Sequence, residues 1–172
     1  MLFLSLNGHY FNLQILHASN ANIKRNLEKV DPHHHAVYHI LLYHTGEGKL
    51  YLRDRTIIVP EGSLVLISPD EKHAFLGNGI TEHQYAEVTF SLVDENGKEC
   101  YQNFNSILFA FGSNLNSLDS PIPLTKNAFA AIHEKMTAMQ KIGFSPSFNE
   151  CTIACQSAQL IDLLSAISLQ TN

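Results

Sequence analysis

The sequence predicts a mainly β chain, an antiparallel barrel or sandwich of short strands followed by two to three α-helices. Three observations carry that prediction. Up to about Asp94, short apolar runs alternate with turn residues, and after Gly97 the apolar spacing lengthens to a helical period. The strands also follow one another too closely for helical crossovers, which favours antiparallel pairing. At 172 residues the chain is long enough for one compact unit with a real core.

Each element has a local reason. The opening Met1 to Leu6 is apolar, stops at Asn7-Gly8 and lacks a basic leader; it is too short for a membrane span and reads as a strand. Further strands are expected over Tyr10 to Ala18, Val37 to His44, Lys49 to Arg53, Thr56 to Val59, Ser63 to Ile67, His73 to Leu76 and His83 to Leu92. Between them stand Thr45-Gly46-Glu47-Gly48, Asp54-Arg55, Pro60-Glu61-Gly62, Pro69-Asp70-Glu71-Lys72 and Gly77-Asn78-Gly79, all with turn chemistry. A short helix is expected around Tyr101 to Phe111, then a Ser/Asn-rich loop from Gly112 to Pro123. Thr125 caps a helix whose Phe129, Ile132, Met136 and Met139 form one stripe, with Gly143 as its stop. A last helix opens at Ser147 and Glu150, at capping-box spacing, and runs toward Leu169. Its Ile153, Leu160 and Ile167 are seven apart with Leu163 and Leu164 beside them, a stripe that suits either the barrel or a helix of a second subunit. This gives a barrel over 1–96 and a helical segment over 97–172.

Composition excludes several function classes. Eleven Lys plus Arg face sixteen Asp plus Glu, a net charge of -5, and no stretch has the basic excess that holds nucleic acid. Cys100, Cys151 and Cys155 cannot all pair within one chain, which fits a reducing cytoplasm. No Ser/His/Asp arrangement has diagnostic spacing, no CxxC occurs, and Gly46-x-Gly48 sits in a hairpin without the following helix that a phosphate loop needs.

Ten histidines are present, and their placement is informative. His33, His34 and His35 are consecutive and His39 follows; on a regular strand His33, His35, Val37 and His39 share one face while Ala36, Tyr38, Ile40 and Leu42 share the other. A neighbouring strand can bring His73 opposite this cluster. Three or four imidazoles around an open position suit Zn, Fe, Ni, Mn or Cu, and neutral histidines also hydrogen-bond sugars or organic acids without metal. On the strand from His83, the polar residues His83, Tyr85, Glu87 and Thr89 alternate with Gln84, Ala86, Val88 and Phe90; that polar face could line a pocket or meet solvent, and solvent is the expectation.

The segments HHHAVYHILLYHTGEGKL and PEGSLVLISPDEKHAF resemble, in order and spacing, the two elements of the cupin barrel, a jelly-roll fold. They are more similar still to the sensor domain at the N-terminus of AraC-type transcriptional regulators. The resemblance implies that metal ligands of cupins fall on His33, His35, His39 and His73. It departs at His39, where cupins carry a glutamate, and at Ser63 and Glu71, where Asp and Gly are usual. It further implies a small molecule bound inside the barrel, helices that dimerise, and for some members an N-terminal arm, here up to about Asn26. The paired helix-turn-helix units that read DNA in the family are not found before Asn172.

The resulting expectation is a non-enzymatic, cytoplasmic, homodimeric sensor of transcription regulation, with a sugar or other small polar effector held by His33, His35, His39, Tyr43 and His73. Its contact with DNA would run only through a further domain, and no membrane partner is expected. No cofactor is expected unless the histidines hold a divalent transition metal. The alternative is a stand-alone metal-dependent cupin enzyme, an isomerase or dioxygenase.

Overall fold

The computed structural model describes residues 3–6, 8–27, 31–114, 119–142 and 150–171. Eight strands come first: β1 (Phe3–Leu6), β2 (His9–Ile23), β3 (Tyr38–Thr45), β4 (Gly48–Leu52), β5 (Arg55–Val59), β6 (Ser63–Ile67), β7 (His73–Leu76) and β8 (His83–Val93). They are followed by α1 (Phe104–Ala110), a two-residue strand β9 (Ile122–Pro123), α2 (Lys126–Ile142) and α3 (Glu150–Gln170). The strands make a six-stranded sheet in the order β1-β2-β8-β3-β6-β9 and a three-stranded sheet in the order β5-β4-β7. Every pairing is antiparallel. The segment expected as an arm is paired: β2 runs against β8 from Asn12 to Ile23, with a bulge between Ile15 and His17.

The central strands bury both faces. On β3, Tyr38, Ile40 and Leu42 join one core, shared with β8 and the helices, and Leu41 and Tyr43 join a second core between the sheets. The second core contains Leu50, Leu52, Val59, Val65, Ile67 and Tyr85, so the middle of the barrel is a plug of apolar and aromatic side chains. Gly48 belongs to this packing: a Cβ there would lie 2.1 Å from the Tyr43 ring, so only glycine lets β4 pass. The β4–β5 hairpin turns on Arg53 and Asp54, both at positive φ (50° and 63°), one residue earlier than the turn the sequence suggested.

The helices close the outer face of the large sheet. Asn103 caps α1 by accepting from Ser106 N–H at 3.0 Å, and Thr125 accepts from Ala128 N–H at 3.3 Å at the start of α2. Ile132, Met136 and Met139 of α2 are buried as expected, and Phe129 is packed against the same core. Most of the α3 stripe packs within the chain, the first of the two partners its spacing suits. Leu160, Leu163, Leu164 and Ile167 are fully buried within the chain, because α3 packs on β2, α1 and α2. Each such side chain removed from water contributes about 2 kcal/mol. Thr152–Gln170 is apolar and long enough to cross a membrane, yet that apolar stripe is spent on the core. The stop expected at Gly143 and the cap at Ser147 lie outside the described residues, as does the Cys151 side chain.

Candidate functional site

The site is built where the segment before β3 crosses the start of β7. His33 and His73 exchange two backbone hydrogen bonds, 3.1 and 2.9 Å, as an isolated antiparallel bridge. The strand proper begins only at Tyr38, so His33 to Val37 is not the regular strand the alternation assumed. The imidazoles nonetheless converge. Ring centroids are 4.6 Å apart for His33 and His73, 4.9 Å for His35 and His73, 4.7 Å for His35 and His39, and 5.1 Å for His39 and His73. His34 turns away to Asp70, 3.4 Å off at the surface.

Depth differs among the four. His73 and His39 are buried, His35 is half-buried and His33 is exposed, so the cluster forms a mouth with two imidazoles at its floor. Tyr43 shares the inward face of β3 but lies away from the mouth. It lies in the plug, its ring against Tyr85 at 5.3 Å and stacked on His83 at 5.8 Å, with its hydroxyl buried and unpartnered.

The face of β8 expected to meet solvent instead points inward. His83, Tyr85 and Thr89 are buried, and the Glu87 side chain is 13% exposed. The physical reason is the register: Thr89 sits opposite His39, and Glu87 and Tyr85 opposite Leu41 and Tyr43, all on the inner face. Glu87 was therefore missed. Its Oε1 accepts from His39 Nδ1–H at 2.6 Å, with the Thr89 hydroxyl 3.4 Å away. A carboxylate thus stands beside the position where the resemblance expects one, supplied by the adjacent strand.

Hydrogen bonding fixes tautomers. His73 Nδ1–H donates to the Glu71 carbonyl at 2.8 Å, which leaves Nε2 with its lone pair, buried and without a partner among the described residues. His39, with Nδ1–H on Glu87, presents Nε2 3.1 Å from His35 Nε2, and His35 Nδ1 is buried and unpartnered. Burial, opposed by the Glu71 hydrogen bond and aided by the other histidines, lowers the His73 pKa to about 4. Burial and the charges of His39 and His33 lower that of His35. Burial alone would raise the Glu87 carboxyl, but the His39 hydrogen bond and charge outweigh it and hold it below the usual range. Burial thus favours the neutral form of the His73 and His35 rings, which stand beside the His39–Glu87 pair. One donor atom each from His33, His35 and His73 lies within 4.8 Å of the others. With His73 Nε2 orphaned and its far nitrogen tied to a carbonyl, this donor set fits a transition-metal ion.

Residues 24–76 match the family described as AraC-like ligand binding domain, a span that holds His33, His35, His39, Tyr43 and His73. Curated proteins give no match. Among solved structures, an RmlC-like cupin family protein of Methanocaldococcus jannaschii is 20% identical with a TM-score of 0.39, over 46% of this chain and 73% of that one. A Cupin 2 conserved barrel domain protein of Salinispora arenicola is 19% identical with a TM-score of 0.38, over 50% and 77%. A predicted oxalate decarboxylase of Thermotoga maritima is 15% identical with a TM-score of 0.38, over 44% and 66%. The fold assignment itself stands on the strand registers described above.

Proposed function

We propose that this chain is the effector-sensing domain of an AraC-type transcriptional regulator and that its effector, a sugar or other small polar metabolite, binds at the histidine mouth. The observation that carries the reading is the convergence of His33, His35, His39 and His73 on one opening, with Glu87 beside them. The apolar plug below leaves the mouth as the polar end of the barrel, so the effector sits above Leu41 and Ile67 rather than deep within. Imidazole lone pairs accept from hydroxyls, and the Glu87 carboxylate accepts another pair, which suits a hydroxyl-rich compound. Occupancy would bias the arrangement of barrel and helices, and an attached DNA-binding module would read that bias.

A panel of monosaccharides, polyols and hydroxy acids, followed by thermal shift, tests this reading. The expected result is a compound that raises Tm by several degrees in the wild type and by nothing in His35→Ala and His73→Ala. A shift that survives both substitutions defeats the assignment. Self-association, expected through the C-terminal helices, has Ile153 and Leu169 of α3 and Phe109 of α1 left to use, at 41%, 68% and 72% exposure.

The donor geometry of His33, His35 and His73 favours a second reading, a metal-dependent cupin enzyme. There a divalent transition metal would polarise a substrate oxygen, and Glu87 would accept the His39 proton and keep that ring oriented. Metal content after chelator-free purification tests it. Near-stoichiometric Zn, Fe, Ni, Mn or Cu supports the reading, and a metal-free protein that cannot be loaded counts against it.

A further inference from the structure

Glu71 departs from the glycine usual in the resembling pattern, and the structure gives it four tasks at once. Its carbonyl accepts from His73 Nδ1–H at 2.8 Å. Its carboxylate takes Arg53 in a two-pronged pair, Nε at 2.6 Å and one terminal nitrogen at 3.1 Å, which anchors the β4–β5 turn. The same carboxylate accepts from Ser68 N–H at 2.9 Å, and Glu71 N–H donates back to the Ser68 carbonyl at 3.2 Å. Ser68 in turn reaches the helical segment: its Oγ accepts from Phe104 N–H, the first residue of α1, at 3.1 Å. That amide is one of the helix-start donors that a helix cannot satisfy internally. From the buried His73 ring to the first turn of α1, hydrogen bonds thus link residues 68 to 73 through the carbonyl and the carboxylate of Glu71.

We propose that Glu71 is a positioning residue that sets the orientation and tautomer of His73 and the docking of α1 with one side chain and one carbonyl, coupling the histidine mouth to the helices. The coupling rests on the reading of the mouth as a binding site; the positioning does not. A glycine at 71 would leave the loop without the carboxylate that ties Ser68 and Arg53 together. A ligand that draws on the lone pair of His73 Nε2 strengthens the Nδ1–H bond to the Glu71 carbonyl. Linkage then requires that the factor by which such a ligand favours the docked α1 is also the factor by which docked α1 favours the ligand.

The test uses the full chain, with Glu71→Ala, Glu71→Gln as the conservative variant, and Zn2+ as the probe. In ligand-free wild type at pH 8, ring 15N shifts are expected to show His73 protonated at Nδ1, and amide exchange to show Phe104 protected. Glu71→Ala is expected to mix the His73 tautomers and to speed Phe104 exchange at least tenfold while distant amides of β8 stay protected, and Glu71→Gln to recover most of both. Wild-type values of both readouts in Glu71→Ala overturn the positioning role. With Zn2+ added, wild-type Phe104 exchange is expected to slow further, and Glu71→Ala to bind about tenfold more weakly without that slowing. Equal affinity and equal slowing in the two proteins overturn the coupling. A wild type that does not bind Zn2+, alongside the expected ligand-free changes, removes metal binding at the mouth and the coupling to it while the positioning role stands.

Discussion

His39 Nδ1 lies 2.6 Å from Glu87 Oε1, across the β3–β8 pair and two residues along β8 from Thr89, which sits directly opposite. The contact supplies a carboxylate to a histidine cluster from a strand 48 residues further along the chain. A hydrogen bond to a charged group is worth about 2 kcal/mol. Glu87→Ala is therefore expected to destabilise the protein by about 2 kcal/mol in urea unfolding and to abolish effector or metal binding. Glu87→Gln retains an acceptor and is expected to cost less stability than the alanine change.

Tyr43→Phe is expected to leave stability unchanged or to raise it by about 1 kcal/mol, because a buried hydroxyl without a partner carries an unrecovered desolvation penalty. A loss of more than that amount would mean that the hydroxyl holds a trapped water or a ligand group. Thermal unfolding of the pair of proteins decides it.

His83 is fully buried with neither ring nitrogen partnered among the described residues, and burial lowers its pKa below the ordinary histidine value. The sign follows from linkage. As pH falls below about 6.5 the unfolded chain takes up this proton and the folded one does not, so stability present above that pH is lost on acidification. His83→Phe is expected to flatten the wild-type decline between neutral pH and the acid range. Parallel stability curves for the two proteins would contradict a buried neutral imidazole.

The stripe on α3 separates intramolecular from intermolecular burial. Leu163→Ala removes a side chain with no exposed surface and is expected to cost about 3 kcal/mol. Leu169→Ser, at a position 68% exposed, is expected to change stability by less than about 0.5 kcal/mol. Light scattering on Leu169→Ser and Phe109→Ser reads out whether those exposed side chains hold a second copy.

Much of this was legible in the sequence because period-2 and turn chemistry are local. Ser63–Ile67 and His73–Leu76 fall at their expected bounds, and alternation put His39 and Tyr43 on one face of β3. Alternation does not say how deep along a strand a residue sits, so Tyr43 was grouped with the mouth rather than the plug. Nor does it say which face is inward when both are buried, as on β8, and Glu87 was lost for that reason. The heptad spacing of α3 was read correctly as an apolar stripe, but its partner is set by tertiary packing that spacing cannot encode. β9 has two residues, too few for any pattern, and forms because Leu64 and Ser63 offer β6 an open edge.

The imidazole-ring 1H–15N spectrum, recorded before and after addition of the stabilising compound or of Zn2+, tests binding at the mouth most directly. The ring signals of His33, His35, His39 and His73 are expected to move together while those of His44, His83 and His133 hold. Movement confined to His44 and His133, whose rings lie 5.6 Å apart at the seam of β3 and α2, would contradict it.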